Sequence, residues 1–150
     1  MAPHDDRTVD DLRRRVDETP FYGWAGISIV SAREGDVEVA MEAGPGHLNI
    51  QGLVHGGLLA TLADTAMGLA VRTRLEPGSR HVTIQLGVQF LSAGRPGRIA
   101  ARGRVVRMGR QIAHTEAEVI DDGGRLLARA QSSVAVTVDR GSARPVDPDQ

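Results

Sequence analysis

From residue 57 to about residue 74 the chain has almost no polar face. Leu58, Leu59, Leu62, Ala63, Ala66, Met67, Leu69, Ala70 and Val71 crowd together without a Pro or a run of β-branched residues. Such residues favour helix, and a helix apolar on nearly every side must be wrapped by other elements. On either side of it the apolar period changes to two. Val37, Val39 and Met41 alternate with Asp36, Glu38, Ala40 and Glu42, while Val82, Ile84, Leu86, Val88 and Phe90 alternate with His81, Thr83, Gln85, Gly87 and Gln89. That alternation predicts strands with one wet face.

Further strand-like runs cover 27–33, 99–107, 112–120 and 126–138. Turn signals separate them at Glu34-Gly35, at 94–97, at Met108-Gly109 and at 121–124. Turns this short predict antiparallel hairpins. Residues 43–54, with three Gly and one Pro, read as a long loop. Near the amino end, Thr8 is expected to cap a short helix running to Glu18, with Asp11 completing a box-like signal, Leu12 and Val16 as its apolar stripe, and Pro20 ending it. The simplest body that hides both the central helix and the sheet's apolar face is an α+β fold, a long curved antiparallel sheet wrapped around that helix. Residues 1–20 form an N-terminal segment with a short helix, 21–138 the main domain, and 139–150 a flexible tail; residues 1–7 and 141–150 read as loose.

Composition narrows the chemistry. At 150 residues and 41% apolar content, one domain with one core is expected, and with only four ring residues (Phe21, Tyr22, Trp24 and Phe90) that core must be aliphatic. All eighteen basic residues are Arg, which excludes a lysine Schiff base but leaves good partners for phosphate. The formal charge of -1 is spread along the chain, so no basic footprint for nucleic acid is present. The absence of Cys excludes disulfides, thiolate nucleophiles and thiolate metal sites. The amino terminus lacks a secretory pattern, and the apolar stretch 58–71 is shorter than a bilayer and is interrupted by Asp64. A soluble cytoplasmic protein that needs no membrane is the expectation.

Asp64 is the only ionisable side chain between Gly57 and Val71. An unpaired carboxylate on a buried helix is costly, so such a group is a candidate for use. Gly56 and Gly57 stand where the loop enters the helix. There the free N–H groups of the first turn, backed by the helix dipole, suit a carbonyl oxygen of an ester or thioester as it gains charge. Eight residues separate Gly56 from Asp64, roughly 12 Å of helix, so the substrate must bridge them or a second subunit must supply one. Plainer roles stand beside these: His55 as a structural histidine, Asn49 bonding its own backbone in a turn, Asp64 as a polar clasp between subunits.

The segments HLNIQGLVHGGLLATLADTAMG, VTIQLGVQFLSAGRPG and VVRMGRQIAHTEAEVIDDGGRLLARAQSSV, within 23–138, resemble the hotdog-fold thioesterases, specifically the phenylacetic-acid-pathway and 4-hydroxybenzoyl-CoA thioesterase branch. The resemblance lies in the spacing of Asn49, Gly56 and Asp64, the all-apolar helix and the later Gly109-Arg110 turn. It implies an acyl-CoA thioester hydrolase in which the helix is the sausage and the sheet the bun, without metal or other cofactor. Two subunits would join their sheets, and dimers would pair again into a homotetramer.

By position, the resemblance implies that the Gly56 N–H polarises the thioester carbonyl. Asn49 and His55 shape the loop and help hold substrate or water. Asp64 acts from the opposite subunit, as general base or as nucleophile, and Thr83 orients the water or the carboxylate. Arg107 and Arg110, around Gly109, would hold the coenzyme A phosphates, with Arg95 and Arg98 as weaker candidates. Two positions depart from the pattern: Gly68 stands where some relatives have Thr, and Gln85 where some have Asp. The rival readings are a non-catalytic acyl-CoA-binding module and, behind it, an enoyl-CoA hydratase or dehydratase. The identity of the acyl group is not written in these residues.

Overall fold

The computed structural model describes residues 6–138. Residues 1–5 and 139–150, which include most of the ends expected to be loose, lie outside the described residues.

Helix α1 (Asp6–Glu18) starts nearly one turn earlier than expected. Thr8 is therefore inside the helix and is not its cap, and residues 6 and 7 are helical, because the segment DRTVD contains neither Pro nor Gly to stop the helix. The stripe that it presents, Leu12 and Val16, is buried in the main core. Pro20 does end α1, yet it also opens a second short helix, α2 (Pro20–Ala25). A proline at the first helical position loses no hydrogen bond, and its fixed φ suits the helix. Gly26, at φ 71°, closes α2 in the left-handed conformation that glycine adopts without strain.

The strands follow: β1 (Ile27–Arg33), β2 (Asp36–Ala43), then the central helix α3 (Gly56–Arg72), β3 (Ser79–Phe90), β4 (Gly97–Met108), β5 (Ile112–Asp121) and β6 (Leu126–Val138). The loop before α3 contains one turn of 3-10 helix, Pro45–His47. All six strands form one antiparallel sheet in the order β1-β2-β4-β5-β6-β3. The expected hairpins β1-β2, β4-β5 and β5-β6 are present. The β3-β4 pair is not a hairpin: β3 lies at the far edge against β6. Three strand spacings, about 14 Å, separate β3 from β4, and the six residues between Phe90 and Gly97 can span that distance.

The sheet curls around α3, which touches every strand. Met41, Leu62, Met67, Ile99, Leu127 and Val119 fill the space between them and are fully buried. Contact is tightest at Gly103 of β4, where a Cβ would fall on the backbone of Ala66 and Met67. Only glycine lets the helix lie directly on the strand there. No helix among the described residues is long and apolar enough to cross a membrane.

One irregularity shapes the site. The pairing of β3 with β6 slips between Thr83 and Gln85, since Thr83 faces Val134 while Gln85 faces its chain neighbour Ser133. The simple alternation expected along β3 therefore breaks. Leu86 and Val88 pair with the buried Ser132 and Ala130 on the helix side, whereas Val82 and Ile84 lie on the opposite side, 64% and 58% exposed. In exchange His81 and Thr83 turn toward α3, as a bulge that inverts the facing of a half-strand must make them do.

Candidate active site

The amino end of α3 is built by the loop ahead of it. Asn49 Oδ1 accepts from the Gln51 and Leu53 amides at 2.9 and 3.2 Å, and the Asn49 amide donates to the Leu53 carbonyl at 2.7 Å. The plainer turn-making role is thus the one its side-chain oxygen fills. His55 is the N-cap: its Nδ1 accepts from the Gly57 amide at 2.9 Å and its carbonyl from the Leu58 amide. A histidine cap satisfies one of the orphan donors of the first turn. It leaves the Gly56 N–H without a partner among the described residues. The Phe90 ring stands beside that amide, 3.3 Å from where a Gly56 Cβ would be.

Asp64 lies two turns further along, half-buried, and receives a hydrogen bond from Thr83 Oγ1 at 2.9 Å. It is thus partnered, contrary to the expectation of an isolated carboxylate. Both side chains border an open-mouthed cavity of about 550 Å³ that is lined by residues of α3, β3, α1 and α2. Arg15, Tyr22, Arg72 and His81 belong to its polar lining, and Leu12, Val16, Leu69 and Leu86 to its apolar walls. Burial, and then the negative charge of Asp64, hold the Tyr22 phenol above its ordinary 10.0. Burial first, then Arg72, hold the His81 imidazole below its ordinary 6.5, with Arg15 adding to the depression and Asp64 opposing it. The cavity therefore favours a neutral imidazole and a neutral phenol beside one carboxylate.

Of the residues singled out in the sequence, the structure brings Asp64 and Thr83 together at the cavity. It groups Asn49, His55 and Gly56 at the other end of the same helix segment. Arg107 near the end of β4, and Gly109 and Arg110 on the β4-β5 turn, do not border the cavity. Gly109 has a structural reason to be glycine, since its amide donates to the Ile112 carbonyl at 2.9 Å and a Cβ would collide with that oxygen. Tyr22, Arg72, His81 and Phe90 were not anticipated. The two on β3 depend on its slipped register or on its far end meeting α3, neither of which the alternation announces.

Comparison with known proteins agrees with this architecture. Residues 51–128 match the thioesterase superfamily. A protein of Halobacterium salinarum, provisionally named an esterase, is 36% identical over 142 residues, covering 89% of each chain. Acyl-coenzyme A thioesterase 13 of Homo sapiens is 30% identical over 107 residues, 70% of this chain and 76% of that one. Among solved structures, a variant of the phenylacetic acid degradation protein PaaI from Thermus thermophilus superposes with a TM-score of 0.72 at 30% identity, over 78% of this chain and 98% of that chain. The central helix, the sheet that wraps it and these matches place the chain in the hotdog-fold thioesterase superfamily, in its PaaI-like branch.

Proposed function

We propose that this protein hydrolyses acyl-CoA thioesters to a free acid and coenzyme A, with Asp64 as the carboxylate that directs the attacking water. The observation that carries the reading is a half-buried carboxylate held by a hydroxyl donor on the wall of an apolar-sided cavity. Thr83 engages Oδ1. Oδ2 then serves as base: it removes a proton from water as the water oxygen bonds to the thioester carbon. Collapse of the tetrahedral oxyanion breaks the C–S bond, and the coenzyme A thiolate leaves and takes a proton. Such a positioned base typically contributes ~10²–10⁴ in rate.

The developing oxyanion needs a donor, and Gly56 offers one, but about 12 Å of the same helix lies between it and Asp64. A second copy of the chain supplies the missing half. β3 is an edge strand of twelve residues with Val82 and Ile84 exposed, and an exposed apolar edge pairs readily with another strand. Antiparallel pairing of two β3 strands that sets Phe90 of one near Thr83 of the other would bring the Gly56 of one copy to the Asp64 of its partner. Asn49 and His55 hold the loop that presents Gly56. Arg107 and Arg110, exposed and without a carboxylate within salt-bridge distance among the described residues, suit the coenzyme A phosphates. Further pairing of dimers into a tetramer belongs to the same reading.

Thiol release from a panel of phenylacetyl-, hydroxybenzoyl- and medium-chain acyl-CoAs tests the activity. Asp64→Asn should lower kcat by at least about a hundredfold while the folded signal is kept. A variant that turns over its best thioester at the normal rate would refute the role of Asp64. Bound but intact thioester would identify a binding module, and addition of water to an enoyl-CoA without thiol release would identify a hydratase.

A further inference from the structure

The far end of the cavity carries positive charge for which hydrolysis of a plain alkyl thioester has no use. Thr61, Asp64, Gly68 and Arg72 share one face of α3, at spacings of three and four residues, and all border the cavity. Gly68 contributes no side chain, and a Cβ there would stand 3.5 Å from His81 Nε2. Its absence keeps the passage open between Asp64 and Arg72. Arg72 is half-buried, and its Nη1 donates to the Ser79 carbonyl at 3.0 Å, which fixes the guanidinium and leaves its other N–H groups for a guest. Arg15, from α1, lines the same end. Among the described residues neither guanidinium has a carboxylate within salt-bridge distance.

We infer that the cavity selects acyl groups of medium length that end in a carboxylate, received at the far end by Arg72 and Arg15. This rests on the thioesterase reading, because the chain's other end must lie at Asp64. Eight residues of helix, roughly 12 Å, separate Asp64 from Arg72, and the walls between them include the apolar Leu12, Val16 and Leu69. That is the shape of a methylene chain with a charge at its tip. Two guanidiniums against one carboxylate leave the cavity one charge positive when His81 is neutral, and a second carboxylate balances it. Repulsion from Asp64 is weak at that separation, which exceeds the ~8 Å screening length at physiological ionic strength. The guanidiniums, in contrast, are in contact with the guest. Both also depress the protonation of His81, so their fields converge on that imidazole.

Octanedioyl-CoA and octanoyl-CoA, equal in length and different only at the tip, test the inference on the full chain. Wild-type protein should show kcat/KM about tenfold higher for octanedioyl-CoA, mainly through KM, as charge-assisted hydrogen bonds to the tip imply. Arg72→Gln should abolish most of that preference. Because Arg72 also holds the Ser79 carbonyl, Arg15→Gln gives an independent reading from a side chain that makes no hydrogen bond among the described residues; it should reduce the preference about threefold, being exposed and screened. Equal or inverted preference in the wild type, or a preference untouched by both substitutions, overturns the inference. Calorimetry with octanoate and the neutral octanamide separates it from the reading beneath it. Tighter binding of octanoate than of octanamide, lost in Arg72→Gln, with no thioester hydrolysed, would sink the hydrolase and leave the selectivity standing. Thioester hydrolysis with no preference in either assay would do the reverse.

Discussion

Thr83 Oγ1 donates to Asp64 Oδ1 across 2.9 Å, and it reaches that oxygen because β3 slips its register by one residue immediately after Thr83. With regular alternation Thr83 would share a face with Gln85, Gly87 and Gln89 and point away from α3. The bulge thus joins a strand residue to a helix residue, and a structural irregularity becomes part of the proposed chemistry. The hydrogen bond holds one carboxylate oxygen and leaves the other without a hydrogen bond among the described residues.

Loss of that donor should loosen the carboxylate without removing it. Thr83→Val keeps the shape and deletes the hydroxyl, and kcat for the best thioester is expected to fall about tenfold to a hundredfold, with KM little changed. Thr83→Ser should recover most of the activity. A Val variant with the wild-type kcat, or a Ser variant as slow as Val, would show that the hydroxyl has no part in positioning Asp64.

His81 gives a pH signature. Its folded pKa lies below the ordinary 6.5, first through burial and then through Arg72, so the unfolded chain takes up the proton first as pH falls. Stability should be insensitive to this group above 6.5 and should decline as pH drops from there through the folded value. Urea unfolding at about pH 8 and about pH 5 should show a wild-type loss that His81→Gln partly removes. Arg72→Gln should move the imidazole, followed by NMR, back toward its ordinary value. A downward shift in that variant would contradict the assigned electrostatics.

Gly103 is expected to be intolerant of any side chain. A Cβ would meet the backbone of Ala66 and Met67, which cannot rotate out of the way as a flexible side chain could. Gly103→Ala should cost about 2–3 kcal/mol in urea unfolding, in the range of an overpacked core. Gly23→Ala, inside α2 with no atom within 4 Å of the added Cβ, serves as the control, with no loss and a gain of up to about 1 kcal/mol from helix propensity. Equal stability of the two variants would mean that α3 does not rest on β4 as described.

Much of this architecture was legible in the chain because it follows from period. The bounds of β1 and β6 and the central helix come directly from apolar spacing and turn residues. The order of strands does not, since a six-residue link can either turn a hairpin or cross the mouth of a curled sheet, and only packing around α3 decides. Asp64 stood out because a lone charge on an apolar helix is conspicuous. Arg72 and His81 did not, since an arginine at a helix end and a histidine in an alternating strand each have an ordinary surface reading. What joins them is the bulge and the missing side chain of Gly68, and both are properties of three-dimensional contact.

The amide of Gly56 can be deleted with little damage to the helix. Gly56 is the first helical residue, and His55 before it is extended at φ -61° and ψ 128°, the conformation that precedes a proline. Gly56→Pro therefore removes the N–H at a position where the helix makes no use of it. Thioester turnover should fall about 10²–10³-fold, the usual loss for one oxyanion donor. Gly56→Ala presses on the Phe90 ring just as Pro does but keeps the amide, so it should stay within about tenfold of wild type. Equal losses in the two variants would assign the effect to crowding at Phe90 and not to the amide.

If each site draws Gly56 from one copy and Asp64 from the other, two inactive variants must rescue one another. A dimer formed from one Gly56→Pro chain and one Asp64→Asn chain has one site in which both groups are lost and one in which both are intact. Random exchange at equal amounts makes half of the dimers mixed, so thiol release should rise to about one quarter of the wild-type rate. Co-expression of the two chains with different affinity tags, followed by tandem purification of the mixed dimer, should raise this to about one half. Sites contained within a single chain would give no recovery in either preparation, because every chain would then carry one fatal substitution. Activity confined to the doubly tagged fraction is therefore the direct measure of whether the proposed catalytic pair is assembled from two chains.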